Sequence, residues 1–403
     1  MPWKESRVVD ERKRFIEEWN KGEEDVAELC RRFGVSRQTG YTWAKRYDAS
    51  GEAGLTDRSR TPHQCPHAMA EEVADALLQL RHSHPRWGPR KLRAYLQSHR
   101  PTQSWPAASS IGALLKREGL AHPRSLRRRT PAYSEPLAHA QAPNQVWCAD
   151  YKGWFYCGDG ARCDPLTITD ACSRYLLRCR AVAKTDGPEA QAVFEAVFRE
   201  CGLPEAIRTD NGPPFASRAP GGLSRLSMWW MRLGIRHERI EPGCPQQNGR
   251  HERMHQTLKQ QTASPPQANV RRQQEAFDCF QREYNEERPH EALQYRTPAS
   301  VYVESARIFP SRLPELEYPP EAELRRVSQQ GSVKWKCRRA FVSEVLARQE
   351  VGLVEVEEDF LEVYYGRLFL GWLDALGPEP VFVADGGPRQ PRRRGDQAKE
   401  VEK

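Results

Sequence analysis

The segment from Ile235 to Gln260 constrains the fold more than any other part of the chain. Residues 235–240 have the pattern of a short β-strand, and the Pro- and Gly-containing residues 241–249 that follow predict a turn. From Arg250 onward the spacing of apolar residues favours a helix, with Glu252 in its first turn. A strand that enters a helix through a tight turn indicates a mixed α/β domain with a carboxylate at the junction.

The predicted helix has two different faces. Glu252, Gln256 and Lys259 are four and three residues apart and therefore share one polar face. Met254 and Leu258 lie on another face, which we expect to pack against a core. A lone Glu on a helix is usually no more than a solvated side chain, so the role of Glu252 depends on what the fold brings near it.

Two aspartates upstream lie on predicted strands. Asp150 interrupts the apolar and aromatic run from Val146 to Tyr156, where a carboxylate is costly unless it is paired or binds a metal ion. Asp210 ends the short strand that begins at Ala206 and is followed by an Asn-Gly turn, which places it at a strand tip facing a cleft. Three carboxylates on two strands and a helix are suitable oxygen ligands for Mg²⁺ or Mn²⁺.

The order and context of these acids resemble the Asp-Asp-Glu core of insertion-sequence transposases and retroviral-type integrases. The resemblance covers residues 144–300, and its motifs are specific as an ordered set although each is short. They are Asp150 in its strand, Asp210-Asn-Gly-Pro-Pro-Phe215, Pro245-Gln-Gln-Asn-Gly249 before Glu252, Tyr284-Asn-Glu-Glu-Arg-Pro-His290, and Leu293 with Pro298. The 41 residues between Asp210 and Glu252 exceed the commonest family spacing, and we expect the additional residues in the loop 216–223.

The resemblance implies an enzyme that binds the ends of a mobile element and then cleaves and joins DNA strands. It implies Mg²⁺ as cofactor, with Mn²⁺ as a substitute, and two ions in each active site. Asp150 would contact both ions, Asp210 and Glu252 would each hold one, and Lys259 would steer a terminal phosphate. The implied partners are double-stranded DNA, as element ends and as target, and further copies of the chain, because two ends must be held together.

Length and composition favour several domains. The chain has 403 residues, more than the roughly 250 to 300 at which a single core stops growing. It has no run of about 18 apolar residues and no apolar signal segment, so we expect a cytoplasmic, nucleoid-associated protein without a membrane partner. The 11 cysteines form no Cys-x-x-Cys pair, which favours reduced thiols. His63 and His67 have the spacing of half a zinc site, with a Pro-rich linker as the alternative.

Basic charge is concentrated in the first third of the chain. Residues 1–143 carry 25 Lys and Arg against 17 Asp and Glu, whereas residues 144–403 carry 37 of each. The whole formal net charge of +8 therefore lies away from the acidic residues of the core. This distribution is typical of a chain that grips DNA phosphates with one part and acts on DNA with another, and a solvated surface is the alternative.

Residues 8–50 have the pattern of three short helices and resemble a helix-turn-helix domain. Ser36 is placed to cap the third helix, whose beginning contacts base edges in such motifs. The expected DNA-contacting residues of this helix are Arg37, Gln38, Thr39 and Tyr41. Gly40 lies inside the same helix, where glycine costs about 0.5 to 1 kcal/mol relative to alanine, so we expect a domain of marginal stability.

A second helical unit and a basic linker follow. Residues 63–122 contain three predicted helices and suggest a second, tandem helix-turn-helix unit. Residues 123–143 are rich in proline and basic side chains. The residues of this linker expected to follow a phosphate backbone are Arg127, Arg128 and Arg129.

The pattern of strands and helices from residue 144 to 302 resembles the ribonuclease H fold. It includes a continuous strand from Val146 to Cys157 and a helix from Gly187 to Cys201. In that fold the first and fourth strands are neighbours, which would bring Asp150 beside Asp210. Asp170 matches none of the three family acids, and we expect it to be structural.

The C-terminal region changes to short β-runs with hairpin signals, which predict a small β-barrel over residues 303–385. Lys334, Lys336, Arg338 and Arg339 would contact DNA or protect an exposed strand edge. Residues 386–403 have the composition of a disordered tail. The predicted domains are thus 1–62 (helix-turn-helix and its linker), 63–122 (second helical unit), 123–143 (basic linker), 144–302 (catalytic core), 303–385 (barrel) and 386–403 (tail).

Two other functions fit parts of the sequence. One is a DNA-binding regulator with an inactive core, and the other is a simple nuclease of the ribonuclease H type. The intact set of three acids argues against the regulator. The tandem DNA-reading units argue against the nuclease, because an enzyme that selects DNA by structure has little need to read sequence.

Overall fold

The computed structural model describes residues 8–57, 69–121, 139–241 and 245–384. The chain divides into two compact units, with the boundary between Ala70 and Glu71. The predicted zinc half-site at His63 and His67, the linker arginines 127–129 and the tail from residue 386 lie outside the described residues. Within the described ranges, no helix has both the length and the apolar character needed to cross a membrane.

The described residues of the first unit form three α-helices, as their apolar spacing predicts, and a 3₁₀ turn at Gly51–Leu55 that buries Leu55 in the same core. The α-helices are α1 (Val8–Lys21), α2 (Val26–Arg32) and α3 (Arg37–Ser50). The Ser36 side chain accepts a hydrogen bond from the backbone N–H of Thr39 at 3.1 Å, which confirms Ser36 as the cap of α3. Phe15, Leu29 and Ala44 lie in the core where the three helices meet.

Gly40 is required by this packing. It is buried in α3, and a β-carbon at this position would lie 2.8 Å from Cys30 Sγ and 3.0 Å from Phe15 Cζ. The absence of a side chain lets α3 approach α1 and α2 closely. The helix propensity of glycine does not include this packing effect. The packing therefore gives a reason for glycine at this position, and the marginal stability expected of the domain stays a prediction.

The second unit begins with three further helices that pack onto the core. They are α4 (Glu71–Ser83), α5 (Pro89–His99) and α6 (Ala108–Arg117). Pro89 stands at the first position of α5, where its missing N–H costs no hydrogen bond. His84 Nδ1 lies 3.2 Å from Glu283 Oε1, and Arg90 donates to Glu291 at 3.1 Å. These contacts join the helices to residues that follow the last helix of the core.

The core is a mixed sheet. Its strands are β1 (Val146–Tyr151), β2 (Phe155–Tyr156), β3 (Arg162–Asp170), β4 (Leu176–Val182), β5 (Ala206–Thr209) and β6 (Arg236–Arg239). Across the sheet they follow the order β4-β3-β1-β5-β6, with β2 paired to the beginning of β3. β1 is antiparallel to β3 and parallel to β5, and β5 is parallel to β6. The continuous strand expected from Val146 to Cys157 is interrupted at residues 152–154.

Helices cover both faces of this sheet. They are α7 (Gly187–Cys201), α8 (Arg225–Arg232), α9 (Gly249–Thr262) and α10 (Val270–Arg282). Trp147 and Ala149 of β1 pack in one core with α7 and α8, whereas Met254 and Leu258 of α9 pack in another with α10. Because alternate residues of a strand face opposite sides, Asp150 lies on the α9 side of β1.

Helix α10 pairs with the outer edge of β4 through amide side chains. Gln274 accepts from the N–H of Ala181 at 2.8 Å and donates to the carbonyl of Cys179 at 2.9 Å. Asn285, in the π-helical turn after α10, accepts from the N–H of Leu176 at 2.8 Å and donates to its carbonyl at 3.0 Å. These bonds satisfy backbone groups that an edge strand otherwise exposes. They explain Asn285 in the tail motif.

The described part of the C-terminal region contains seven strands. They are β7 (Glu323–Arg326), β8 (Ser332–Trp335), β9 (Arg338–Phe341), β10 (Glu350–Glu357), β11 (Phe360–Tyr365), β12 (Leu368–Asp374) and β13 (Val381–Ala384). Five form an open antiparallel sheet of order β13-β12-β11-β10-β7, and β8 and β9 form a separate hairpin. The closed barrel is not confirmed, because β7 and β13 do not pair in the described structure. The hairpin contacts both edge strands without extending the ladder.

The loop 216–223 packs against this C-terminal sheet. A β-carbon on Gly221 would lie 3.1 Å from Leu368 Cδ2 of β12. Leu223 and Met228 of the core are buried in the same cluster as the C-terminal strands. The residues between Asp210 and α9 therefore include a docking surface for the C-terminal domain.

Candidate active site

The pairing of β1 with β5 brings Asp150 and Asp210 together. The two strands run parallel, with Cys148 opposite Arg208 in the last aligned pair. Asp150 and Asp210 each lie two residues beyond this pair, so both lie at the same end of the sheet and on the same face of it. The expectation that the first and fourth predicted strands are neighbours is confirmed.

The environment of Asp150 favours its protonated form. Burial is the largest cause, the negative charge of Asp210 is the next, and Glu252 adds a smaller contribution in the same direction. Together they raise the pKa of Asp150 to about 7. The three acids are therefore close enough for their charges to interact, although they come from two strands and a helix.

The turn after β5 holds Asp210 in place. Its Oδ1 accepts a hydrogen bond from the backbone N–H of Gly212 at 3.2 Å. The neighbouring Asn211 side chain donates to the carbonyl of Ile240 at 2.8 Å, which ties this turn to the end of β6. The Asn-Gly sequence thus forms a side-chain-supported turn at the strand tip.

Glu252 lies on the exposed face of α9. Met254 and Leu258 are 3% and 1% exposed, which confirms the two faces predicted for this helix. Glu252, Gln256 and Lys259 line an open cavity of about 450 Å³, together with Lys152 from the loop after β1. This cavity places two lysine side chains beside a catalytic candidate.

Two buried histidines connect α9 to the sheet, and the sequence interpretation missed them. Thr167 Oγ1 lies 2.7 Å from His251 Nε2 and 2.6 Å from His255 Nε2, and it donates to the backbone carbonyl of Asp150 at 3.1 Å. Thr169 Oγ1 lies 2.9 Å from His251 Nδ1. The available signal was the pair of histidines four residues apart on either side of Glu252, opposite alternating threonines of a strand.

These histidines are neutral in the folded protein. Burial lowers the pKa of His251 to about 3. Burial, with smaller contributions from His251 and Lys152, lowers the pKa of His255 still further. Each neutral ring can donate from Nε2 to the Thr167 hydroxyl oxygen, while the Thr167 hydroxyl donates to the backbone carbonyl of Asp150. The hydroxyl then accepts two hydrogen bonds and donates one, which is its full capacity. The network therefore holds α9, and with it Glu252, against the strand that carries Asp150.

The donor set suits a hard divalent cation. Three carboxylates provide oxygen ligands, and a cation between them would relieve the repulsion that raises the pKa of Asp150. In the described part of the chain, no group of three or more acidic, histidine or cysteine side chains is arranged to hold a metal ion. The charges of Asp210 and Glu252 thus act on Asp150 without the three acids forming a three-ligand metal site.

Family models match both regions that the sequence singled out. Two models described as integrase core domain match residues 140–245 and 233–298. A helix-turn-helix domain model matches residues 11–63, and a homeodomain-like domain model matches residues 39–115. Together they cover the N-terminal helices and the whole sheet with α9.

Proteins of insertion elements resemble the chain over most of their length. A 39.2 kDa protein of insertion element IS476 from Xanthomonas euvesicatoria is 26% identical over 71% of this chain and 80% of its own. A 31.7 kDa protein of IS407 from Burkholderia multivorans is 28% identical over 57% and 80%. The transposase InsD of IS2 from Escherichia coli is 26% identical over 56% and 77%. The chain belongs to the insertion-element transposases with an integrase-like core. It is an enzyme of the polynucleotidyl transferase class.

Solved integrases show only a distant likeness to this transposase. An integrase chain of a simian T-cell lymphotropic virus intasome is 16% identical and covers 78% of the transposase, with a TM-score of 0.38. The catalytic core of the HTLV-2 integrase, solved with magnesium, is 17% identical and covers 40%, with a TM-score of 0.32.

Asp170 is structural in the transposase, as expected. It is almost fully buried, and its carboxylate accepts three hydrogen bonds. The donors are the backbone N–H of Asn144 at 2.8 Å, the backbone N–H of Ser173 at 2.7 Å and the Ser173 hydroxyl at 2.6 Å. Asp170 thus fixes the turn between β3 and β4.

The predicted DNA-contacting residues of α3 differ in their surroundings. Arg37 and Gln38 are exposed at the beginning of the helix. The hydroxyl of Thr39 is 2.8 Å from Ser36 Oγ, so it contributes to the cap. Tyr41 is 56% exposed. These residues remain predicted base contacts.

In the C-terminal hairpin, Lys336 and Arg338 are both paired with Asp359, at 2.6 and 3.3 Å. Lys334 and Arg339 are exposed. The pairing lowers the positive charge that this hairpin can offer to DNA.

Proposed function

We propose that the transposase binds the ends of a mobile element and catalyses metal-dependent DNA strand cleavage and strand transfer. Asp150, Asp210 and Glu252 are its catalytic and metal-binding residues. The observation that carries this proposal is the parallel pairing of β1 and β5, which sets Asp150 and Asp210 at one end of the sheet. The effect of Glu252 on the pKa of Asp150 supports its place in the same cluster.

Asp150, Asp210 and Glu252 would hold the divalent ions, Mg²⁺ or Mn²⁺ in its place, and we propose two ions in each active site. Bound ions of this kind activate water or a 3′-hydroxyl and stabilise the charge that develops during phosphoryl transfer. Lys259 and Lys152 line the same cavity and would bind phosphate oxygens of the DNA end. The hydrogen bonds of Thr167 with the two histidines would hold α9 against β3 and so fix the position of Glu252 relative to the sheet.

DNA recognition would be divided among several parts of the chain. Arg37, Gln38, Thr39 and Tyr41 would read bases, and Arg127, Arg128 and Arg129 would contact phosphates. The 63–122 unit would extend the site that is read. Because cleavage and joining act on two ends, we propose that several copies assemble on DNA, in the cytoplasm and bound to the nucleoid.

Conservative substitution of each acid tests the assignment. Asp150→Asn, Asp210→Asn and Glu252→Gln should each reduce strand cleavage and joining by a factor of about 1000 or more, because each removes a metal ligand. Binding to end duplexes, made from DNA that flanks the gene, should remain within about threefold, because no phosphate contact is lost. Cleavage with Mg²⁺ and a gel-shift titration measure the two properties.

Glu205→Gln is the matched control, since Glu205 is an exposed carboxylate immediately before β5. It should keep wild-type cleavage. Near wild-type strand transfer by any of the three acid variants would contradict the assignment. End binding without cleavage by the wild-type protein would favour a regulator with an inactive core, and cleavage without end preference would favour a simple nuclease.

A further inference from the structure

The break between β1 and β2 directs an aromatic side chain outward. Gly153 has a φ of 84°, a left-handed conformation that suits glycine. The backbone turns at this point, two residues after the end of β1 and three after Asp150. Trp154 follows directly and is 54% exposed, and Tyr156 in β2 is 57% exposed. Exposed aromatic rings of this size are uncommon on surfaces that contact only water.

The exposed indole is held in position by its neighbours. The guanidinium carbon of Arg162 lies 5.2 Å from the centre of the Trp154 ring. Arg162 is itself held by the buried Asp164, with Nε donating to Oδ2 at 2.7 Å. The ring of Tyr156 packs edge-on against Trp154 with centres 5.2 Å apart. An aromatic ring fixed in this way loses little conformational entropy when a flat ligand stacks on it.

A groove runs from Trp154 to Glu252. Trp154, Lys152 and Lys259 line a cavity of about 130 Å³ on the sheet side of α9. The same two lysines line the adjoining cavity that contains Glu252. A basic path therefore runs from the catalytic face of α9 to Trp154. A cationic track combined with an aromatic platform is the surface on which single-stranded nucleic acid binds.

We propose that Trp154 stacks an unpaired base of the DNA strand whose end is processed at the acids. The proposal rests on the proposed function, because only that function brings a DNA end to Glu252. Lys152 and Lys259 bind the phosphates between the reacting group and the stacked base. Bases inside a duplex cannot offer a free face to Trp154, so the site selects a frayed or single-stranded end. Arg162 and Asp164 position the indole.

The test measures binding of full-length protein to a random-sequence duplex that carries a single-stranded 3′ tail with 2-aminopurine. The assay is carried out in EDTA, so that no cleavage is required. Trp154→Ala should weaken binding of the tailed duplex by about 5-fold to 150-fold, the effect of losing one base-aromatic stack. It should also abolish the quenching of 2-aminopurine fluorescence. Affinity for the same duplex with a blunt end should not change, and Trp154→Phe should restore most of the tail affinity.

Phe341→Ala is the matched control, because Phe341 is similarly exposed, at 59%, in the C-terminal hairpin. It should leave tail affinity and quenching unchanged. Equal affinities of wild type and Trp154→Ala for the tailed duplex would overturn the proposal. A change in oligomeric mass with unchanged tail binding would also overturn it and identify the aromatic pair as a contact between copies. If the wild-type protein cleaves DNA with Mg²⁺ but Trp154→Ala does not weaken tail binding, the stacking proposal fails and the proposed function stands. If Trp154 stacks the tail but the wild-type protein cleaves no DNA, the proposed function alone fails.

Discussion

Replacing Asp150 by Asn should stabilise the metal-free protein at neutral and alkaline pH while it abolishes strand transfer. The pKa of Asp150 is raised from 3.8 in the unfolded chain to about 7 in the folded protein. The folded state therefore binds this proton more tightly than the unfolded state, so stability falls as pH rises from about 4 to about 7. Above that range the carboxylate is charged in both states, and its full destabilising effect is present.

The expected magnitude follows from the shift. About three pKa units correspond to about 4 kcal/mol of differential free energy, and this figure is an upper limit. The Asp150 side chain is 21% exposed, and solvent screening reduces the effect to about 2 to 4 kcal/mol. The Asn variant does not titrate, so it should lack this loss. Its gain over wild type should be small near pH 4 and largest above about pH 7.5.

Urea unfolding in the absence of divalent ions measures this difference. The free energies of unfolding of wild type and Asp150→Asn are compared at about pH 4.5 and about pH 8, with Glu205→Gln as a control that should follow wild type. Addition of Mg²⁺ at the higher pH should stabilise wild type and leave the variant unchanged. A difference between the two proteins that does not grow with pH would refute the reasoning, as would a variant less stable than wild type at pH 8.

Two further predictions concern the first unit and the linker. Arg37→Ala or Gln38→Ala should cost about 1 to 3 kcal/mol of binding free energy on end duplexes and little on scrambled DNA, whereas Arg128→Ala should weaken binding to both DNAs alike and lower the salt dependence of affinity by about one unit of slope. Titrations of each variant with end and scrambled duplexes measure this. Loss of discrimination by the linker variant alone would contradict it. Gly40→Ala should destabilise the domain by about 1 to 3 kcal/mol through the clash with Cys30. Thermal unfolding measures that loss, and Cys30→Ala in the same chain should recover part of it; an unchanged melting temperature would show that α3 can move aside.

Much of the core could be predicted because its signals are local. The helix expected from Gly187 to Cys201 is observed with those bounds, since a Pro near its beginning and a Gly after its end define both limits. Short apolar runs, the second of them followed by an Asn-Gly turn, placed the strand that carries Asp150 and the strand that precedes Asp210. The cap at Ser36 and the two faces of α9 were predictable for the same reason, because each depends on residues within one or two helical turns.

Other features depend on contacts between residues far apart in the chain. Thr167 meets His251 and His255 across more than 80 positions, as the hydrogen bonds show. The spacing of the histidines and of the threonines marks one face of each element, but it does not indicate that the two faces meet. The need for glycine at position 40 arises from Cys30 on another helix, so helix propensity could not indicate it.

The edge strands of the C-terminal sheet also depend on contacts between distant residues. Strand β7 has one apolar residue among its four, and its pairing with the long central strand β10 defines it. Whether seven strands close into a barrel depends on which edges meet, and periodicity carries no information about that. Residue types and their order indicate which side chains have the chemistry for the reaction. Which of these side chains share a site depends on the fold, because burial and distance are properties of the packed chain.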